Sequence, residues 1–152
     1  IWNELEQDKL GFKRSWVQDN LSYSEKQYTL RGLHLQKAPS QQAKFVSCVA
    51  GHILDVIVDA RKNSSLFGKH FLVELSEENA KQLFVPEGYL HGFITLAPGC
   101  LVAYKCSKFY NPCDEITVAY DDKSLNITWP ISADKMTISE KDRNGVIFRD
   151  VF

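Results

Sequence analysis

Short apolar runs, separated by turns that contain glycine, proline, asparagine or serine, recur through most of the chain. In the run over residues 52–60, Val56 and Val58 alternate with Ile57 and Asp59. Runs of this length, with turn residues at both ends, predict β-strands. The predicted strands are residues 43–49, 52–60, 70–75, 81–85, 92–96, 101–107 and 125–129.

A helical pattern is confined to residues 1–10, where Glu4, Leu5, Lys9 and Leu10 fit a short amphipathic helix. We therefore expect one all-β domain over residues 1–152, built as a sandwich or barrel with minor helical segments. The pattern alone leaves a jelly roll and an immunoglobulin-like sandwich open.

Composition and charge narrow the classes of partner. The chain is 44% hydrophobic and 24% charged, which is ordinary for a globular protein, and its formal net charge is −1. A nucleic-acid partner would require a basic stripe, and a membrane partner an apolar stretch of roughly 20 residues. The sequence shows neither, so we expect no nucleic acid and no membrane. Four cysteines without a Cys-x-x-Cys pair or a secretory signal predict reduced thiols in the cytoplasm.

Two histidines stand beside glycines in motifs that suggest a reactive pocket. Residues 31–36 read RGLHLQ, and residues 85–93 read VPEGYLHGF. His34 lies between Arg31 and Lys44 in sequence, as expected for a base in an anion-binding pocket, and imidazole has a pKa of about 6.5. Tyr104, followed by a lysine, carries a phenol that is protonated at neutral pH and could donate a proton.

The same residues have plainer interpretations. Tyr104 equally fits a buried core position, and His52 and His70 are expected to be structural. Asp142 lies in what the charge pattern predicts to be a solvated loop. Asp55 and Asp59 lie inside an apolar strand, so at least one should pair with a histidine, arginine or lysine. The ligand spacing that a metal site needs is missing after His34, so we predict no metal.

Together these motifs resemble the dTDP-4-dehydrorhamnose 3,5-epimerase family, isomerases of rhamnose biosynthesis with a cupin-type jelly roll. The resemblance runs from about residue 17 to residue 143. The matching segments are VQDN at 17–20, RGLHLQ at 31–36, Lys44, VPEGYLHGF at 85–93, YK at 104–105, WP at 129–130 and SEKD at 139–142. It implies an all-β cupin-type jelly-roll barrel that forms a homodimer.

The resemblance also implies residue roles. His34 would be the proton acceptor, Tyr104 the proton donor and Lys44 the cation that stabilises an enolate. Asp142, Asp55 or both would orient the imidazole, and the choice among these stays open. Phe109 would stack on thymine where the family has a tyrosine. The implied substrate-binding residues are Gln18, Asp19, Asn20, Arg31, Lys44, His91, Phe109, Glu115 and Lys141.

The implied reaction converts dTDP-4-dehydro-6-deoxy-D-glucose into dTDP-4-dehydro-L-rhamnose, without a cofactor or metal. The C4 ketone acidifies the hydrogens on C3 and C5, one residue removes them, and another returns protons to the opposite face. A mono-epimerase acting on one carbon and a non-catalytic sugar-nucleotide-binding cupin remain alternatives. Family members also carry N-terminal strands with an Arg-Gly-Phe-Phe-like segment that reaches a partner subunit. Residues 1–15 do not match it, so we expect those strands to be missing.

Overall fold

The computed structural model describes residues 3–11 and 14–152. It consists mainly of strands, with three short helices. The strands are β1 (Gln18–Ser24), β2 (Thr29–Gln36), β3 (Lys44–Ala50), β4 (His52–Asp59), β5 (His70–Ser76), β6 (Gln82–Val85), β7 (Tyr89–Thr95), β8 (Cys100–Cys106), β9 (Glu115–Thr117) and β10 (Thr137–Ile138). The helices are α1 (Glu4–Lys9), α2 (Glu140–Arg143) and α3 (Phe148–Val151), and two 3₁₀ turns span Pro112–Asp114 and Ala133–Lys135.

The strands form two sheets whose order does not follow the chain. One sheet runs β1-β8-β3-β6, and the other runs β10-β2-β7-β4-β5 with β9 also paired to β2. The pairs named here are antiparallel except β10 with β2. Non-sequential antiparallel pairing in two facing sheets is a jelly-roll arrangement, so the all-β prediction is confirmed.

Two apolar clusters form most of the core. One contains Val46, Ile53 and Val102, which come from both sheets. The other contains Val56 and Leu90, covered by the C-terminal segment through the buried Phe148. The first cluster therefore fills one end of the space between the sheets. The second covers the outer face of the sheet that contains β4 and β7.

Six predicted strands coincide with β3 to β8, with ends that differ by at most three residues. The predicted helix is also present, with Asn3 as the N-cap of α1. The strand predicted over residues 125–129 is wrong. Leu125 and Trp129 do pack into the core, but Asn126 has a φ of +48°, in the left-handed region, and Trp129 donates its indole N–H to the Tyr120 carbonyl. Residues 125–129 thus pack against the core but pair with no strand of residues 3–11 or 14–152.

The structure contains strands that hydrophobicity did not predict, and β1 shows why. Its inward-facing side chains include Asn20 and Ser22, whereas Leu21 and Tyr23 point outward and are exposed. A strand with polar residues inside and apolar residues outside inverts the usual amphipathic pattern. The polar inner face of β1 borders a cavity rather than the core.

The two histidine motifs meet where β2 and β7 touch. Arg31 pairs with Phe93 and His34 with His91, so β2 contains one extra residue between these pairs. Gly32 has a φ of +121°, and a Cβ atom added there would lie 2.6 Å from the Gly92 Cα atom. Only glycine fits this approach, which sets His34 directly opposite His91.

We expect Gly32→Ala to lower the free energy of unfolding by about 2 kcal/mol or more, since the new methyl group meets backbone and the φ angle is strained. Urea denaturation measures this change. Gly99→Ala is the control, because Gly99 also has a positive φ but a Cβ atom there would meet nothing within 4 Å. Equal losses in the two variants would contradict the close approach.

Candidate active site

A cavity of about 360 Å³ opens between the two sheets. The four-stranded sheet lines it with Gln18, Asn20, Lys44, Tyr104 and Cys106, and the other sheet lines it with His34, Leu35, Gln36 and Glu115. A second lobe of about 160 Å³ shares His34, Lys44 and Tyr104 and adds Arg31, His91 and Asp142. Imidazole and phenol therefore belong to one site, on opposite walls.

Strand register explains why these side chains face the cavity. Across the four-stranded sheet, Asn20 pairs with Tyr104, and Cys106 pairs with both Gln18 and Lys44. Directly paired residues point to the same face of a sheet, and alternate residues of one strand do as well. The polar residues of three strands are therefore collected on one wall.

His34 is held by a carboxylate from the C-terminal part of the chain. Its Nε2 atom lies 2.6 Å from Oδ1 of the buried Asp142 in α2. Ser139, the N-cap of α2, donates its hydroxyl to Asp142 Oδ2 at 2.8 Å and accepts from the Asp142 backbone N–H. Burial by itself raises the pKa of Asp142, but hydrogen bonds from His34 and Ser139 outweigh it, so the pKa lies below its usual value.

Asp55 has a different partner. It is fully buried in β4, and its Oδ2 atom lies 3.0 Å from Nε2 of His91. Of the two acids considered for orienting His34, the structure thus brings Asp142 to His34 and Asp55 to His91. Asp59, the other acid of this strand, pairs with Arg61 at 2.6 Å, so the expectation of paired acids is confirmed.

Lys44 and Tyr104 are both affected by burial. Desolvation lowers the pKa of Lys44, although the nearby Cys106, Asp55 and Glu115 oppose this effect. Desolvation raises the pKa of Tyr104, which keeps the phenol protonated at neutral pH. The Lys44 Nζ atom lies 6.0 Å from the centroid of the Tyr104 ring. A cation and a proton donor therefore share one wall of the site.

A polar network borders the cavity at Glu115. Lys141 forms an ion pair with this carboxylate, and Tyr110 donates its hydroxyl to it at 2.9 Å. Burial alone raises the pKa of Glu115, but the hydrogen bonds from Lys141 and Tyr110 lower it below its usual value. In the smaller lobe, Arg31 donates to Ser24 Oγ at 3.1 Å and to the Tyr23 carbonyl at 2.9 Å.

Comparison with known proteins shows what this site resembles. The family model described as dTDP-4-dehydrorhamnose 3,5-epimerase matches residues 1–150. The chain belongs to this family. A dTDP-4-dehydrorhamnose 3,5-epimerase of Shigella flexneri is 45% identical over 95% of this chain and 78% of its own length.

Two solved epimerase structures share the fold. The dTDP-4-dehydrorhamnose 3,5-epimerase of Bacillus anthracis, with TDP and PPi bound, has a TM-score of 0.93 and 42% identity, and the match covers 96% of this chain and 82% of that one. The 3,5-epimerase of Legionella pneumophila, in complex with dTDP-4-keto-L-rhamnose, has a TM-score of 0.92 and 37% identity, covering 100% and 79%. The cupin-type jelly roll expected from the resemblance is confirmed, and the family match extends ahead of residue 17.

Two residues expected to bind substrate in this epimerase family member do not line the cavity. Asp19 points away from it, because successive strand side chains face opposite sides, and it accepts from Lys105 Nζ at 2.8 Å. Phe109 is 70% exposed. Within its loop, the neighbouring Tyr110 is the aromatic residue that borders the cavity. The loop after β8 carries no periodicity, so the sequence could not distinguish the two positions.

Other residues of the epimerase cavity were missed. Gln36 lies two residues after His34 and Cys106 two residues after Tyr104, so strand alternation could have identified both. Gln42, in the turn before β3, gave no comparable signal. Within the described residues, histidine, cysteine and acidic side chains form no cluster of three or more that could hold a metal ion. No helix in residues 3–11 or 14–152 combines the length and apolarity needed to cross a membrane.

We expect the Lys44 side chain to lower the free energy of unfolding of the epimerase. The pKa of Lys44 is lower in the folded than in the unfolded chain. The charged lysine therefore lowers the free energy of unfolding fully at pH values below the folded pKa, and this destabilisation disappears as the pH rises toward 10.5. We expect Lys44→Met to raise the free energy of unfolding at pH 7 by about 1 kcal/mol and to flatten this rise with pH. Urea denaturation at several pH values measures both effects. The exposed Lys62→Met is the control, and a less stable Lys44→Met protein would contradict the argument.

Proposed function

We propose that this protein inverts C3 and C5 of dTDP-4-dehydro-6-deoxy-D-glucose to give dTDP-4-dehydro-L-rhamnose. Family membership supports this activity, as do the TDP and dTDP-4-keto-L-rhamnose complexes of the two similar structures. The observation that carries the proposal is one cavity with a carboxylate-bound imidazole on one wall and a protonated phenol on the other.

His34 is the proposed base. An ionised carboxylate accepts hydrogen bonds, so His34 donates Nε2–H to Asp142 and keeps its lone pair on Nδ1. In a D-gluco chair, the hydrogens on C3 and C5 are axial on the same ring face, so one base reaches both. Removing either hydrogen breaks a C–H bond, and its electron pair forms an enolate with the C4 carbonyl. The imidazolium that results is stabilised by Asp142.

Lys44 and Tyr104 complete each inversion. The half-buried Lys44 ammonium stabilises the enolate oxygen, since a fixed and partly desolvated cation acts strongly on a developing negative charge. Tyr104 donates its phenolic proton to the ring carbon from the opposite face. The His34 imidazolium then releases its proton to solvent and solvent returns a proton to the phenolate, so both groups are reset for the second carbon. Asp55 acts through His91, which it holds in the smaller lobe beside the sugar.

The remaining residues recognise the rest of the substrate. Arg31 and Lys141 offer charge for the diphosphate, and Gln18, Asn20 and Glu115 offer polar groups along the cavity wall. Tyr110 presents an aromatic ring for stacking on the pyrimidine, the role that the resemblance had suggested for Phe109. Asp19 would contribute only indirectly, through its ion pair with Lys105.

In D₂O the protein should introduce deuterium at both C3 and C5 of the 4-keto sugar nucleotide, as followed by ¹H NMR. His34→Asn should lower the exchange rate at both carbons by about 10²–10⁴-fold, because the base is gone. Tyr104→Phe should still exchange hydrogen, since His34 remains, but should lose most inversion. Tyr23→Phe is the matched control, because Tyr23 lies outside the cavity.

Other outcomes separate the alternatives. Deuterium at one carbon only would identify a mono-epimerase. Nucleotide binding without exchange would identify a non-catalytic binding protein. A Tyr104→Phe protein that inverts both carbons at the wild-type rate would remove this phenol from the mechanism.

We also propose a homodimer that uses the outer face of β1. Leu21 and Tyr23 are large, exposed and adjacent on this face, and β1 is an edge strand of its sheet. Exposed apolar side chains at a sheet edge favour association with another chain. A cytoplasmic location is proposed from the cysteines, of which three are buried as free thiols and one is exposed.

Leu21→Asp should convert the dimer into a monomer, because it introduces a charge into the proposed contact. Light scattering after size-exclusion chromatography measures the mass directly. Leu5→Asp is the control, since Leu5 in α1 is 72% exposed and Leu21 is 69% exposed. A wild-type protein that is monomeric at high concentration would exclude this assembly.

A further inference from the structure

Gln36 is the one residue of the RGLHLQ motif that is polar, lines the main cavity and has no role in the reaction described above. It lies two residues after His34 on β2 and therefore points to the same side of the sheet. The residue is only 6% exposed. A polar side chain buried to this extent beside a ligand cavity requires hydrogen-bond partners.

The carboxamide oxygen of Gln36 holds the segment that carries Tyr110. Asn111 donates its backbone N–H to Gln36 Oε1 at 2.8 Å. The preceding backbone N–H, that of Tyr110, is donated to Gln18 Oε1 at 3.0 Å. Two glutamines, one from each sheet, thus hold consecutive backbone groups at the edge of the cavity.

The carboxamide nitrogens of these two glutamines differ. Gln18 Nε2 donates to Asn20 Oδ1 at 2.9 Å. Gln36 Nε2 is buried and has no hydrogen-bond partner within the described structure. Because a backbone N–H must face an oxygen, the contact with Asn111 fixes which end of the Gln36 amide is the nitrogen. The unpaired group is therefore a donor, and it calls for an acceptor.

The surroundings indicate what kind of acceptor fits. Glu115, directly paired with Gln36 across β2 and β9, is already engaged by Lys141 and Tyr110. The Tyr110 ring borders the same cavity. A pyrimidine nucleotide stacked there would bring carbonyl and phosphate oxygens, but no competing cation, toward this wall.

We propose that Gln36 determines affinity for the nucleotide half of the substrate, with Oε1 holding the Tyr110 segment and Nε2 donating a hydrogen bond to a nucleotide oxygen. This inference rests on the proposed function. It assigns Gln36 to binding, remote from the reacting carbons. Such binding contributes equally to the ground state and the transition state, so its loss should raise KM and leave kcat nearly unchanged.

Two variants separate the two ends of the amide. Gln36→Glu keeps an oxygen for Asn111 and removes the donor, whereas Gln36→Met removes both. Calorimetry with thymidine and with dTDP, together with steady-state kinetics, should show binding about 5–10-fold weaker in Gln36→Met and KM raised to match. Gln36→Glu should also bind dTDP more weakly than wild type, and it should bind thymidine more weakly where the acceptor is a pyrimidine carbonyl. Gln27→Glu is the charge-matched control, since Gln27 is exposed and lies outside the cavity.

The outcomes are distinguishable. An equal loss for thymidine and dTDP identifies a pyrimidine carbonyl as the acceptor, and a loss for dTDP alone identifies a phosphate oxygen. Affinities and KM within twofold of wild type in both variants, or a fall in kcat at constant KM, would overturn the inference. Wild-type affinity of Gln36→Glu for both thymidine and dTDP would overturn the donor role. This comparison tests the inference even if Gln36→Met does not fold. A wild-type protein that binds no dTDP would instead refute the proposed function.

Discussion

The hydrogen bond between His34 and Asp142 connects the two parts of the chain on which the site depends. It joins β2 to a single helical turn 108 positions later, and it pairs a half-buried imidazole with a buried carboxylate. Because the carboxylate accepts from Nε2, one imidazole nitrogen is defined as the donor and the other is left as the acceptor. The chemistry proposed for this family member requires that division, since a base needs a lone pair directed at the sugar.

Around this bond, the fold keeps polar groups in a place where a sandwich would normally bury apolar ones. Lys44, Tyr104 and Gln36 replace core side chains at the open end of the two sheets. Desolvation lowers the pKa of Lys44 and raises that of Tyr104, and it would also strengthen the action on an enolate that we propose for them. We expect these polar groups to lower the free energy of unfolding, and the apolar cluster around Val46 and Val102 to offset that loss.

Local pattern predicted the body of the fold, since β3 to β8 are apolar runs between turn residues. It failed where tertiary contacts override it. β1 has polar residues on its inner face because that face borders the cavity. Residues 125–129 alternate like a strand but pair with no other strand among the described residues. The same contrast between local pattern and tertiary contacts applies to the site residues. The motifs singled out His34, Lys44 and Tyr104, which the structure brings to one cavity. They did not single out Tyr110, which also lines the cavity, because its loop has no period.

The sequence by itself determined an all-β chain, the family and the residue types of the proposed reaction, because strand formation and motif order are properties of neighbouring residues. Only the tertiary structure decided the pairings. Asp142 pairs with His34 and Asp55 with His91, and Asp19 faces outward. The Gln36 carboxamide nitrogen has no partner in the part of the chain that the structure describes. The physical reason is that hydrogen bonds and ion pairs depend on distances between residues far apart in sequence. Those distances are set by sheet register, which no local pattern contains.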